Sequence, residues 1–264
     1  MFLNLSNLFR YRGLIQSLVA RELKARYRGS VLGFVWSFVN PLLLLLIYSF
    51  VFTTVMPNNV EGVQPYALFM FCGILPWNWF ATSLSDAAGS LIGGGNLIKK
   101  VLFPAEVLPL VSVLTNMVHF FLGLPILILF LVIYRHTPDW WDLVWFPITV
   151  LVQLVFTAGL ALALAALAAH FRDIRDILAN VLTLWFFATP IIYPWFQPNV
   201  QRFRTLFNVN LFTHLAVSYQ EILFFPGPIG HWKWLLALGA YSIVQFLAAY
   251  WLFDRLRDSF AEVV

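Results

Sequence analysis

The stretch RELKARYRGSVLGFVWSFVNPLLLLLIYSFVF, residues Arg21–Phe52, joins a basic amphipathic segment to an apolar run long enough to cross a bilayer. Six basic residues, Arg10, Arg12, Arg21, Lys24, Arg26 and Arg28, precede that run, and Glu22 alone opposes them. By the positive-inside tendency this imbalance keeps the N-terminal end in the cytoplasm, and it marks a membrane protein. At about 100° per residue, Ile15, Leu18, Val19, Leu23 and Tyr27 share one helical face while Arg21, Lys24 and Arg28 cluster on the other. That pattern fits a helix on the cytoplasmic surface, with a plain membrane anchor as the simplest role. Glu22 stands four residues before Arg26, the spacing and order at which the two can pair.

Composition agrees with the membrane reading. The chain is 61% hydrophobic and 11% charged, with a mean hydropathy of +0.82, far from the roughly 25% charged residues of a soluble domain. The net charge of +4 comes from basic residues segregated between apolar runs, so it reads as topology and not as a nucleic-acid stripe. Cys72 is the only cysteine, which excludes a disulfide framework and a redox motif, and no metal-ligand spacing is present. The first apolar run begins too late and runs too long for a cleavable signal.

At about 20 apolar residues per crossing, six spans are predicted: 34–56, 66–87, 107–134, 144–169, 177–195 and 232–253. The fold class is an all-α membrane protein, one membrane domain over 1–264, with 1–32 as the cytoplasmic amphipathic segment and 33–264 as the six-span unit. Both termini then lie in the cytoplasm, and twelve of the sixteen Lys and Arg residues fall on that side. Turn chemistry at Met56-Pro57-Asn58-Asn59 and Thr137-Pro138-Asp139 keeps two outer connections short. The segment from Pro194 to His231 is too polar to cross and too apolar for a free loop, so it is predicted to re-enter the outer leaflet as short helices.

Chemistry is sparse. Gly93-Gly94-Gly95 lacks the following Gly-Lys-Ser/Thr of a phosphate loop, so no nucleotide site is expected in this chain. Asn96 is predicted to cap a short helix in which Leu97, Ile98, Val101 and Leu102 oppose Lys99 and Lys100, and which Pro104 ends after Phe103. Its apolar face suits either a cytoplasmic partner or the membrane surface. Asp86 and Glu106 fall at span ends, and His119 alone is titratable deep in a span, so a proton relay is poorly supported. Asn40-Pro41 and Thr189-Pro190 read as kinks whose freed carbonyls neighbours satisfy. No catalytic dyad, triad or metal cluster is predicted. The 18% aromatic content, with Trp36, Trp77, Trp79, Trp185, Tyr193 and Trp195 prominent, fits interfacial belts and packing, with some rings left to line a path.

Together RELKARYRGSVLGFVWSFVNPL, GGGNLIKKVLFPAEVLPL, HFRDIRDI at His170–Ile177 and TPIIYP at Thr189–Pro194 resemble the permease subunit of type 2 ABC exporters, in the branch that moves O-antigen, capsule or teichoic-acid polymers. The resemblance implies a homodimer of permeases with two cytoplasmic ATPase subunits, which bind ATP and Mg while this chain holds no cofactor. It implies ATPase coupling through Arg21, Lys24 and Arg28 on the first helix and through Asn96, Leu97, Ile98, Lys99, Lys100, Val101, Leu102 and Phe103 on the second. It implies that spans one and five line the path, so Trp36, Trp77, Trp185, Phe186 and Tyr193 become candidate path residues, where aromatic faces suit the C–H faces of sugar rings. Arg172, Asp173, Arg175 and Asp176, otherwise a solvated charge run, become a candidate cytoplasmic charge network. The expected function is export of lipid-linked polysaccharide across the inner membrane. The alternatives are a related permease for a smaller lipid, glycolipid or drug, and a membrane enzyme acting on polyprenyl-linked sugars, for which the clustered carboxylates or histidines expected at one membrane face are wanting.

Overall fold

A computed structural model describes residues 10–55, 60–99, 103–136, 138–171 and 173–263, and these are helical apart from turns and connections. Helix α1 spans Arg12–Arg26. A 3-10 turn, Gly33–Val35, leads into α2, Trp36–Phe50, which continues as π-helix over Val51–Val55. The remaining helices are α3 Tyr66–Gly93, α4 Gly95–Ile98, α5 Val107–Ile133, α6 Trp140–Leu143, α7 Trp145–His170, α8 Ile174–Phe187, α9 Pro198–Gln201, α10 Arg204–Val209, α11 Leu211–Leu223 and α12 Trp232–Val263. Among the described residues five stretches are long and apolar enough to cross a membrane: Gly33–Val55, Tyr66–Gly93, Val107–Ile133, Trp140–His170 and Trp232–Arg257.

The predicted span 177–195 is the point of difference. Its helix α8 has 14 residues and ends at Phe187, a rise of about 21 Å against a hydrocarbon core of about 30 Å. Pro190 carries no N–H to continue the ladder, and the chain instead turns over Thr189–Tyr193. The kink expectation holds in substance, because the backbone groups there find partners: Pro190 O accepts from Gln220 Nε2 at 3.0 Å and Ala188 O from Asn210 Nδ2 at 3.0 Å.

Helix α3 is the centre of the molecule, buried over most of its length and packed against α5, α7 and α11. The predicted short helices between Pro194 and His231 are α9, α10 and α11. The last is no surface element: Phe212, Leu215, Ala216 and Tyr219 are completely buried. Small residues permit close helix approach in two places, which in lipid replaces hydrophobic drive with dispersion. Gly123 faces Leu75, and a Cβ there would come within 2.5 Å of Leu75 Cδ1. On α7, Gly159, Ala161, Ala165, Ala166 and Ala169 are buried, and the helix lies along α12 so closely that a Cβ on Gly159 would sit 3.0 Å from Phe246 Cα. Trp140, Trp141, Trp232 and Trp234 are exposed at the end of the bundle remote from α1, the position of an interfacial aromatic belt.

Candidate functional site

At the basic end, α1 turns the face carrying Leu18 toward Val107 and Val111 of α5, with Leu14, Ile15 and Val19 partly buried around them. Arg21, Lys24 and Arg28 are exposed, as the helical pattern predicts. Arg26 departs from its predicted partner. Its Nη2 meets Asp86 Oδ2 on α3 at 2.9 Å and its Nη1 meets Asn116 Oδ1 on α5 at 3.1 Å, while Asn116 Nδ2 donates to Asp86 Oδ2 at 2.8 Å. A carboxylate on a core helix is held by the bundle, whereas Glu22 sits on the exposed side of α1. One residue on, Ser37 Oγ donates to Tyr27 Oη at 2.6 Å, and Tyr27 Oη lies 3.2 Å from His119 Nδ1. The end of α1, the start of α2, α3 and α5 are therefore joined by one polar seam. Glu106, also read as a span-end residue, is buried and sits 3.6 Å from Arg257 of α12.

The glycine-linked helix α4 is shorter than predicted. It starts at Gly95, so Asn96 lies inside it and makes no side-chain cap. A chain turning directly out of α3 through Gly93 and Gly94 satisfies its first N–H groups with backbone carbonyls, since Gly94 N reaches Ser90 O at 2.9 Å. Leu97, Ile98 and Phe103 pack against a buried cluster containing Leu91, Ala105, Leu108 and Phe260, which leaves Asn96 and Lys99 exposed. Lys100, Val101 and Leu102 lie outside the described residues. Arg21 and Glu22 of α1 face Leu97 of α4 across a cleft of about 440 Å³ floored by Gly89, Gly93 and Gly94, so the two predicted coupling elements form one concave surface.

The aromatics predicted for a path separate into two places. Trp77 is buried and packs edge-on to Phe212 at 4.9 Å, with Phe186 at 5.6 Å; Phe80 meets Trp185 at 5.2 Å. Trp185 Nε1 donates to Asn210 Oδ1 at 2.7 Å, and Tyr193 Oη donates to Phe187 O at 2.8 Å. Trp36 is remote from this group and lines a different cavity, beside Asn40, Asn78 and His119. Helix α8 does present an outward polar stripe, Asp176, Asn180 and Thr183, flanked by exposed Leu184 and Phe187. Arg172 lies outside the described residues; Asp173, Arg175 and Asp176 are exposed at the start of α8, and no ion pair joins these three.

Asn210 escaped the sequence reading. Its Oδ1 accepts from Trp185 Nε1 and from Phe212 N, capping α11, and its Nδ2 donates to Ala188 O and to Thr189 Oγ1 at 2.9 Å. An Asn just ahead of the amphipathic run LFTHLAVSYQEIL is the signal that would have found it. Close by, His214 Nδ1 lies 2.9 Å from His231 Nε2, and Glu221 Oε2 accepts from His231 N at 2.9 Å. Burial, joined by His214, lowers the His231 pKa to about 4; burial also lowers that of His214 and raises that of Glu221.

A basic amphipathic helix, a glycine-linked helix facing it across a cleft and a bundle of apolar helices form an arrangement that a sequence profile also recognises, for residues 13–224 match that of the ABC-2 type transporter. The chain belongs to the ABC-2 type transporter family. Within it, the chain is 45% identical over 258 residues to the O-antigen export system permease protein RfbA of Myxococcus xanthus, covering 97% of each. It is 32% identical over 261 residues to the Klebsiella pneumoniae protein of that name, covering 99% of this chain and 97% of the other. It is 21% identical to the polysialic acid transport protein KpsM of Escherichia coli over 92% of this chain and 93% of the other. The chain is thus a multi-pass membrane transporter subunit and not an enzyme.

Proposed function

We propose that this chain is the channel-forming permease of an ATP-driven exporter that moves lipid-linked polysaccharide across the inner membrane, working as a homodimer beside two copies of a cytoplasmic ATPase. The observation that carries the reading is the 45% identity, end to end, with an O-antigen export permease. ATP and Mg belong to the partner, whose closure presses on the cleft between α1 and α4. Motion of α1 passes to the core through Arg26, Asp86 and Asn116, because charge-assisted hydrogen bonds tie it to α3 and α5 together. The polar stripe of α8 supports a hydrated path between two permeases, since Asp176, Asn180 and Thr183 are costly against lipid and cheap against water. The excess of basic residues on the connections at the α1 end supports cytoplasmic termini.

Deleting the gene is expected to abolish surface polysaccharide while lipid-linked polymer accumulates inside, and the intact chain restores export. Lys99→Glu together with Arg21→Glu is expected to leave the permease in the membrane but prevent co-purification of the ATPase. A deletion strain with normal surface polymer defeats the substrate assignment; a charge-reversed permease that still retains its ATPase defeats the docking assignment.

A further inference from the structure

Behind the first span the bundle holds a cavity of about 520 Å³, walled by α2, α3 and α5 and closed at one end by the last residues of α1. Its volume lies in the range of about 300–1,000 Å³ usual for small-ligand sites. Two carboxamides within membrane-spanning helices face it, Asn40 on α2 and Asn78 on α3, and among the described residues neither side chain meets a hydrogen-bond partner. His119 is also on the wall, with its Nδ1 3.2 Å from Tyr27 Oη and its Nε2 buried in the wall, closed off from the open space. Both amide side chains are exposed, and at membrane depth an exposed amide needs water, a ligand or another polar group in the space it faces.

The character of the occupant follows from what else is present. Trp36 offers a half-buried ring that, among the described residues, stacks on no other aromatic ring and whose indole N–H meets no acceptor. Among the described lining residues the one cation is Arg26, and it is held by Asp86 at 2.9 Å, which leaves no spare charge there. Uncommitted amides beside a free indole face, with no spare positive charge, match a neutral ligand rich in hydroxyls and one C–H face. They do not match a diphosphate, which would demand an unpaired Arg or Lys.

We infer that this cavity is a carbohydrate subsite within a single protomer, where Asn40 and Asn78 hydrogen-bond sugar hydroxyls and Trp36 stacks on the ring. This rests on the polysaccharide reading above and adds to it a place of contact remote from the Trp185 group and from the outward stripe of α8.

A photoreactive benzoylphenylalanine placed singly at position 36, 78 or 183 tests it, in cells that also carry a hydrolysis-defective ATPase to hold polymer in place. Periodate staining then reports carbohydrate attached to the permease. Adducts at 36 and 78 are expected. Their absence, or adducts there with phospholipid alone, overturns the subsite; carbohydrate at 183 in that same experiment shows that the export reading stands without it. Asn40→Leu and Asn78→Leu give the second measurement. Leucine is well tolerated in a span, so permease should remain at normal level in the membrane while export falls about fivefold for each amide, the equivalent of one neutral hydrogen bond. Unchanged export by the double variant overturns the proposal as well.

Discussion

Asn210 shows how much one side chain can hold when every valence is used. Four hydrogen bonds tie the end of α8, its following turn and the start of α11 to a single amide. Asn210→Ala removes the helix cap and orphans the partly buried Trp185 indole, so a loss of about 2 kcal/mol is expected in detergent-titrated unfolding. Asn210→Asp keeps both acceptor contacts and loses the two donations, and an intermediate loss is expected from the same measurement. The sequence told less about such residues than about spans, because an Asn at the head of a helix earns its partners only after the chain has folded back. Arg26 makes the same point from the other side. Its local partner Glu22 was legible from spacing, but the distant Asp86 prevailed because it is held in place by Asn116 on a neighbouring core helix.

At the level of elements, the seam between α7 and α12 is set by close approach. Gly159→Val would push a branched side chain against Phe246 Cα and Gln245, at 3.0 and 3.1 Å from the position of a new Cβ. A cost of about 1–3 kcal/mol is expected, whereas Gly93→Ala, whose Cβ would meet nothing within 4 Å, serves as the silent control in the same unfolding assay. The α11 region is expected to respond to acid. His214 Nε2 faces Asn208 O and so carries the proton, which leaves Nδ1 to accept from His231 Nε2. A second proton on either ring sets charge into a buried pair. The His231 pKa is lowered to about 4 from 6.5, so the unfolded segment binds more protons: stability is full above about pH 6.5 and is lost as pH falls toward 4. Glu221, raised by burial and by Asp142, opposes this by gaining its own proton, while His214, lowered by burial, adds to it, so His231→Gln should flatten the acid loss of hydrogen-exchange protection in α11 and not reverse it. Span periodicity was legible for the five long helices because apolar length needs no tertiary partner to be seen. The shortness of α8 was hidden, since an apolar tract through TPIIYP has the hydropathy of a span whether or not its backbone stays helical.

For the whole molecule, the exposed faces of α2 and α8 describe what a single protomer leaves uncovered. Leu184 is 71% exposed and Phe187 59% exposed, next to the polar stripe of α8. If two permeases enclose the path, cysteine at Leu184 should form a disulfide between copies in native membranes, while cysteine at Trp140 on the far belt should not; monomers at both positions would count against the homodimer. The cleft between α1 and α4 was only half legible. Its two helices were marked in sequence by charge and by glycine, but their meeting depends on parts of the chain far apart in sequence, as Arg21 and Leu97 are at 76 residues. The same cleft rests on α12, which runs beyond its apolar stretch to put Phe260 at zero exposure beneath α4, with Ser259 Oγ 2.8 Å from His170 Nε2. This gives late nonsense alleles a distinctive phenotype. A stop codon at position 258 deletes none of the lipid-crossing residues, so translation yields an inserted and immunologically detectable protein, yet it strips the floor from under the glycine-linked helix. In a genetic screen such an allele would score as transport-null with its product still in the membrane, the signature that separates a broken power stroke from a missing channel.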